Sequence, residues 1–480
     1  MRFVIFLQFL FVIVNSCEQF WKNWGNVSCT SSANCCHVSS KHSSVEIFNE
    51  SILINCQQET IDTDFLRCLN VINVRNITFN DCYMSAMDFG IFTIGYKVEN
   101  VKILYTKYER NFDSASFINL LSLKSVVIQS VRTSDLLHLI FINVPFLTYF
   151  QIKNYNFSLF LKRPFSNLIN LSELYITNGL LKVLPEDLFY NLQNLTKLDL
   201  SNNHIESFPP SVFRNLTRLE YLYLSWNEIK DLPADMLKRL SNLKTFSMDR
   251  HKRLSEIPVG FFKGLHNLSV LSAWGCSFSA LEEDVFFDFI NLTAVDQDLN
   301  QFEHLPENLL KNNNMLILLS FSGNEITTLP RRIFHGLSNL RYITLLKNRL
   351  ENLPEDVFLN LSSLQILILA LNRLKHLPEN IFFTLNNLLF LDISYNNITD
   401  ISGKHPFGKS KHLRHLDVSN AGLTEWPMIN WTEYNLTTVN FSNNHSETVN
   451  LPIYTPNKLT IDLSNCKIRT IYMDEWTYGF

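Results

Sequence analysis

The chain repeats itself every 24 residues, and this period limits the possible folds more than any other feature. Leu195 to Arg218 reads LTKLDLSNNHIESFPPSVFRNLTR, and Leu219 to Asn242 has the same layout. Leu195, Leu198 and Leu200 are answered by Leu219, Leu222 and Leu224; Asn203 by Asn227, Ile205 by Ile229, Pro209 by Pro233 and Leu216 by Leu240. The fourth and sixth positions are apolar and alternate with polar or mixed residues, which is the two-residue period of a strand with one buried face. A unit of this size cannot bury its apolar face alone, so units must stack. Stacking pairs the strands into a parallel sheet, with neighbours about 4.8 Å apart.

Thirteen units start at Leu171, Leu195, Leu219, Leu243, Leu268, Leu292, Leu316, Leu340, Leu364, Leu388, Leu413, Leu436 and Lys458. Counting back lands on Leu171, Leu147 and Leu123, with Val98 and Leu69 as earlier, less regular starts. The pattern L-x-x-L-x-L-x-x-N-x-L is that of a leucine-rich repeat. The predicted fold is an α/β leucine-rich repeat solenoid. It has a curved parallel β-sheet on the concave face, short turns or single helical turns on the convex face, and a disulfide-stapled N-terminal cap. Asn at the ninth position satisfies backbone groups left open by the turn; Asn203, Asn227, Asn300, Asn324, Asn348, Asn372, Asn396 and Asn444 stand there. Cys276 and Cys466 occupy the same slot and read as buried, inert thiols. Gly179, His251 and Ala421 fill it in three units, where weaker turns are expected. Leu-Pro or a similar pair followed by a bulky apolar residue, commonly Phe (Phe189, Phe213, Phe262, Phe286, Phe334, Phe358, Phe382), predicts an apolar spine beneath the convex side, where Pro discourages a long helix.

The N-terminal part differs. Met1 to Ser16 has Arg2, an apolar run from Phe3 to Val14 and small residues near the end, the layout of a secretory signal. Cys17, Cys29, Cys35, Cys36, Cys56, Cys68 and Cys82 follow closely, which in an exported chain reads as a stapled cap over the open end of the solenoid. Their number is odd and their connectivity open. The chain therefore divides into a signal (1–16), a cysteine-rich cap with a degenerate first repeat (17–97), degenerate repeats (98–170) and thirteen repeats without a C-terminal cap (171–480). The last unit is expected to leave Ile461, Leu463, Ile468, Ile471 and Trp476 poorly covered. No later run of 18 apolar residues provides a membrane span.

A formal net charge of −4 gives no reason to expect nucleic-acid binding. Gly403 to Ser410 matches G-x-x-x-x-G-K-[ST], but it falls in a convex segment before a strand, whereas a phosphate loop needs a helix after it, so no nucleotide is expected. Lys404 to His415 is basic and reads as a solvated insert; His412 and His415 lack a third ligand for a metal. No catalytic motif is present, and the chain is read as a non-enzyme without a cofactor. Glycosylation candidates are Asn26, Asn49, Asn76, Asn156, Asn194, Asn215, Asn267, Asn291 and Asn360, several of which arise because the repeat itself ends in Asn-Leu.

Third, fifth and eighth positions point to the concave face or its edge, where residues 24 apart become neighbours. Two groups of exposed-phase aromatic and apolar residues are the candidate partner sites. One is Tyr221, Tyr223, Trp226 and Trp274 with Arg250; the other is Tyr342, Ile366, Ile368, Leu371, Phe390 and Tyr395.

The exported cysteine-rich module, the weakly patterned early repeats, the LPxxxF units (Leu329 to Phe334, Leu353 to Phe358) and the stretch Leu451 to Asn465 together resemble the ectodomain of insect Toll-type receptors. The resemblance implies a secreted or cell-surface protein that recognises a protein ligand in immune or developmental signalling. It also implies a dimeric cystine-knot cytokine of the Spätzle type as ligand, with receptor dimerisation. The sequence lacks that family's C-terminal cysteine flank, transmembrane helix and TIR domain, which suggests a fragment or a decoy. The alternative reading is a secreted or matrix adhesion protein.

Overall fold

The computed structural model describes residues 26–29, 35–39, 44–48, 50–55, 74–80, 86–88, 97–104, 114–130, 136–160, 163–399, 401, 407–427, 434–452 and 458–474. The segment 1–16, Cys17, Cys56, Cys68, Cys82, Asn49, Lys404, His405 and Trp476 lie outside these residues. The chain forms two compact units, 1–228 with 235–240, and 229–234 with 241–480.

The first unit begins with an antiparallel meander, Asn26–Cys29, Cys35–Ser39, Ser44–Phe48 and Ser51–Asn55. Its register sets Cys29 opposite Cys36. Parallel stacking then starts, with Ser51–Asn55 followed by Asn76–Asn80, Asn100–Leu104, Ser125–Gln129, Tyr149–Lys153, Glu173–Thr177, Lys197–Asp199 and Tyr221–Tyr223. Parallel pairing therefore reaches back into the segment read as a cap. In each strand from Asn76 onward the alternate residues are buried, as the two-residue period requires (Ile77 and Phe79, Val126 and Ile128, Phe150 and Ile152).

On the opposite side, the early repeats differ from expectation. Ala86–Asp88, Ser114–Ile118, Leu136–Ile142 and Leu159–Phe160 form a second parallel sheet instead of turns. These segments carry no proline and are rich in apolar residues, so nothing prevents ladder pairing. In the regular repeats the Leu-Pro pair removes a donor, and the chain makes three-residue turns such as Leu188 N–H to Pro185 O (3.1 Å) and Val357 N–H to Pro354 O (3.2 Å). Among the described residues no segment is helical.

The second unit stacks three-residue strands in parallel from Thr245–Ser247 through Val270–Ser272, Ala294–Asp296, Leu318–Ser320, Tyr342–Thr344, Ile366–Ile368, Phe390–Asp392, His415–Asp417 and Thr438–Asn440 to Thr460–Asp462. Thr448–Pro452 pairs with Thr470–Asp474 on its other side. The leucine columns are sealed, and Leu340, Leu364, Leu388, Leu367 and Leu391 have no exposed surface. The phenylalanine spine forms as expected: Phe189 stacks on Phe213 (6.0 Å between centroids), Phe334 on Phe358 (6.0 Å) and Phe358 on Phe382 (6.3 Å). In the last unit Ile461, Leu463 and Ile468 are only half-buried and Ile471 is 56% exposed, also as expected.

The ninth-position asparagines use both the amide nitrogen and the carbonyl oxygen of the side chain. Asn348 donates to Phe321 O (2.8 Å) in the preceding repeat and to Leu345 O (3.1 Å) in its own, and accepts from Ile326 N–H (3.1 Å). Cys276 keeps one of these links through Sγ to Met248 O (3.2 Å), and burial pushes its thiol up to about 12, so it is protonated and inert. Cys466 makes the same contact to Phe441 O (3.3 Å) but, unlike the expectation, is only half-buried, because it lies in the last repeat, whose neighbouring apolar residues are themselves only half-covered. Neighbouring units reach into two of the three substituted slots. Asn444 accepts from both Ala421 N–H and Leu423 N–H (3.2 and 3.1 Å). At Gly179 the Tyr155 ring lies where a β-carbon would stand, and its hydroxyl reaches Asn203 Oδ1 two repeats away.

Candidate protein-binding surface

Strand register turns sequence positions into rows. In the first unit the third-position row runs Tyr149, Glu173, Lys197, Tyr221, and the fifth-position row runs Gln151, Tyr175, Asp199, Tyr223. These side chains face away from the core, because the residue between them on each strand is fully buried (Phe150, Leu174, Leu198, Leu222). They interlock. Tyr149 and Tyr175 are in ring contact at 5.3 Å, and their hydroxyls donate to Gln151 Oε1 (2.7 Å) and Glu173 Oε2 (2.6 Å). The Lys197 ammonium lies over both the Tyr175 ring (5.2 Å) and the Tyr223 ring (5.6 Å). Each such contact contributes roughly 0.5–1 kcal/mol at a partly exposed site. Burial, the bond to Glu173 and nearby carboxylates raise the Tyr175 hydroxyl pKa, while burial and Asp199 raise that of Tyr223. Both phenols therefore stay protonated; that of Tyr175 donates to Glu173, and that of Tyr223 can donate to a partner.

This arrangement places Tyr221 and Tyr223 of the first candidate group in one cluster with Tyr149, Tyr175 and Lys197, which the sequence reading missed. Their 24-residue spacing would have found them if the row analysis had covered the degenerate repeats. Trp226 belongs to the same unit and is 49% exposed. Arg250 and Trp274 belong to the second unit, where the Arg250 guanidinium stacks on the Trp274 ring at 4.4 Å. Near them Asp249 accepts from Ser247 and Ser272 hydroxyls (2.7 and 2.6 Å), and Asp298 from the Ser320 hydroxyl. Burial raises the Asp296 carboxyl to about 6, helped by repulsion from Asp298 and Asp249.

The second candidate group is brought together. Leu318, Tyr342, Ile366 and Phe390 occupy successive third positions in direct register, with Ile368 beside Ile366 on its strand. Leu318, also missed in the sequence, extends the row; it and Tyr342 are each 38% exposed. The eighth positions carry an unexpected feature. They have left-handed backbone throughout, and Asn or Gly fills many of them, as at Asn202, Gly275 and Asn420. Trp226, Arg250, Leu299, Lys347, Leu371 and Tyr395 hold the same conformation, with φ of 60°, 62°, 53°, 56°, 55° and 53°. For bulky residues this costs on the order of 1–3 kcal/mol each.

The repeat-derived sequons form a separate row of hydrogen bonds: Asn194 Nδ2 donates to Ile169 O (2.9 Å), Asn215 to Tyr190 O (2.8 Å), Asn267 to Ser241 O (3.0 Å) and Asn291 to His266 O (2.9 Å). A glycosylated amide keeps one N–H, so this row is compatible with modification. Asn156 and Asn360 are exposed, whereas Asn76 is half-buried on the sheet face, between Ser51 and Asn100. Asn26 lies on the first strand of the meander. The phosphate-loop match ends in a buried Ser410, whose hydroxyl lies 2.9 and 2.8 Å from Asn386 O and Leu388 O, and the chain runs on into the strand His415–Asp417. Among the described residues no group of three His, Cys, Asp or Glu is placed to hold a metal, and no helix is long and apolar enough to cross a membrane.

The family model described as leucine rich repeat matches residues 169–229, 342–398 and 362–423, and the BspA type leucine rich repeat region (6 copies) matches 241–365, so the two together span half of the chain. A search of curated proteins by similarity finds no match. The solved structure of Drosophila Toll, in its complex with Spätzle, is similar with a TM-score of 0.70 at 19% identity, over 96% of this chain and 68% of that one. Its glycosylated form gives 0.71 at 19%, over 94% and 67%. A leucine-rich repeat protein of Leptospira interrogans gives 0.59 at 25%, over 68% and 81%. The chain belongs to the leucine-rich repeat proteins, and its fold is that of a Toll-type ectodomain.

Proposed function

We propose that this chain is the ligand-recognising part of an extracellular, Toll-type receptor and binds a protein partner on the exposed sheet face of its first unit. The observation that carries this reading is the Lys197 ammonium held between the Tyr175 and Tyr223 rings, with Glu173 and Asp199 beside it. Tyrosines fixed by their neighbours lose little entropy on binding and offer both apolar area and a donor, the properties of an interface anchor. The mixed charges set register and disfavour wrong partners. A cystine-knot cytokine of the Spätzle type is the proposed ligand, since the similar Toll structure is a complex with Spätzle. The proposed outcome of binding is immune or developmental signalling through receptor dimerisation. Cap disulfides, export and glycosylation of the exposed sequons belong to the same proposal.

The test is binding of a recombinant Spätzle-type cytokine to the secreted chain by interferometry. Tyr175→Ala with Tyr223→Ala is expected to weaken binding by about a hundredfold, or roughly 3 kcal/mol, at unchanged secretion. Equal affinity in the double variant would remove this face from the account.

A further inference from the structure

From Ile401 to Leu416 the sequence holds Lys404, Lys409, Lys411, Arg414 and three histidines, and no aspartate or glutamate. The described part of this stretch belongs to the second unit and leads into the strand His415–Asp417 along one edge of the sheet. Lys409, Lys411, His412 and Arg414 are exposed there. Several edge cations elsewhere are neutralised by a carboxylate one repeat away: Arg331 by Asp356 (2.7 Å), Arg349 by Glu325 (2.9 Å), Lys375 by Glu351 (2.8 Å) and Arg469 by Glu447 (3.3 Å). Register withholds such a partner here. The Arg414 N–H donates to Leu389 O (2.9 Å) and its carbonyl accepts from Thr437 N–H (2.8 Å), while the Lys411 carbonyl accepts from the Asn435 amide (2.7 Å). The neighbours one repeat away are thus apolar or neutral, and among the described residues Lys409, Lys411 and Arg414 have no carboxylate partner. The backbone that carries them is held in place. The buried Ser410 hydroxyl bonds to Asn386 O and Leu388 O (2.9 and 2.8 Å), Tyr434 donates to Gly408 O (2.8 Å), and the Lys409 ammonium lies over the Phe383 ring at 4.1 Å.

We propose that this edge binds a sulfated polysaccharide. Cations without counter-charges on a fixed backbone favour a polyanion, whose binding releases counterions and costs little ordering of the protein. The neighbouring groups select the kind of polyanion. Phe407 and Leu413 are buried, so neither is free to enter a bilayer beside an anionic headgroup. The Phe383 ring is covered by Lys409, so it gives no platform for a nucleic-acid base. The exposed amides of Asn386 and Asn387, next to the Ser410 contact, instead offer donors and acceptors to sugar hydroxyls. The site lies in the second unit and does not depend on the protein partner proposed for the first.

The experiment measures binding of a heparin octasaccharide to the full chain by calorimetry in 50 and 200 mM salt. A desulfated octasaccharide, a single-stranded oligonucleotide of equal charge and phosphatidylserine vesicles are the competing probes. Asn435 starts the sequon Asn435-Leu436-Thr437, so the protein is measured as secreted and after removal of its N-linked glycans. The sulfated octasaccharide is expected to bind at least about tenfold more tightly than each competing probe, and to weaken as salt rises. Lys411→Gln with Arg414→Gln lowers its affinity by about tenfold at an unchanged thermal midpoint. Arg349→Gln with Lys375→Gln removes the same charge from paired positions and changes the affinity by less than about twofold. Equal losses in the two double variants, or no loss in the first, overturn the proposal. So does octasaccharide binding by neither form of the protein, or binding of the oligonucleotide, the vesicles or the desulfated sugar as tight as that of the sulfated one.

Discussion

The early repeats and the regular repeats solve the same stacking problem with different hydrogen bonds. In the early repeats, asparagines on the strands bond to one another: Asn76 to Ser51 Oγ (3.0 Å), Asn100 to Asn76 Oδ1 (2.7 Å), Asn80 to Asn55 Oδ1 (2.9 Å). These side chains are only partly buried and can exchange partners with water. In the regular repeats the asparagine moves to the ninth position, is buried, and bonds to backbone groups of two repeats at once, as Asn227 does with Leu200 O (3.0 Å), Leu224 O (2.7 Å) and Ile205 N–H (3.0 Å). A buried backbone group left unpaired costs far more than a solvated side chain that loses its neighbour. The regular design therefore trades tolerance for precision. It can keep three-residue strands in register, whereas the early repeats need five-residue strands and a second sheet.

The strongest way to break this comparison is at the junction of the two designs. Gly179→Ala drives a β-carbon into the Tyr155 ring and should cost about 3 kcal/mol or more, read as a lowered urea midpoint; Tyr155→Asn, which restores the ordinary slot, should recover part of it. Next, Asn348→Ala should cost about 3 kcal/mol and speed amide exchange in the strand Tyr342–Thr344, while Asn100→Ala costs less than about 1 kcal/mol. Similar losses in the two variants would show that the ladders are equivalent. A smaller effect of opposite sign is expected at Gln297, which stands in the sixth-position leucine column, is fully buried, and has no partner for either side-chain amide atom among the described residues. Gln297→Leu should raise stability by about 1–2 kcal/mol. The smallest effect is with pH. Asp296 has its folded pKa raised to about 6, above the ordinary carboxyl value, so it ionises first in the unfolded chain. Its stabilising contribution is present in acid and lost as pH climbs toward 6. The thermal midpoint should fall between pH 4.5 and 7 by more in the parent than in Asp296→Asn, and equal slopes would assign that fall to other groups.

Much of the molecule was legible because its code is local. Leu198 between Lys197 and Asp199 already says which side is buried, and the 24-residue spacing says that Lys197 will lie beside Tyr221. The same logic placed Cys276 and Cys466 in the ladder and Phe334 under Phe358. What escaped depends on reach rather than pattern. Nothing in the sequence says that Tyr155 will pass Gly179 to bond Asn203, 48 residues on, since that rests on a rotamer and a missing β-carbon. The second sheet, of which Leu136–Ile142 is a strand, escaped because an apolar run without proline serves a turn or a strand equally until its neighbours are known. Left-handed Leu371 and Tyr395 escaped because propensity argues for asparagine there, and tertiary context overrode it.

Tyr155 in the space of Gly179 has a counterpart in Leu299, whose Cδ2 lies 2.5 Å from where a β-carbon of Gly323 would stand. In both cases one unit spends volume that the next has given up. A duplication or deletion of whole units, the easiest change for a repetitive gene to undergo, would separate donor from recipient at these seams. Here the order of units is written into their shapes, and only a paired exchange of both members leaves the stack intact.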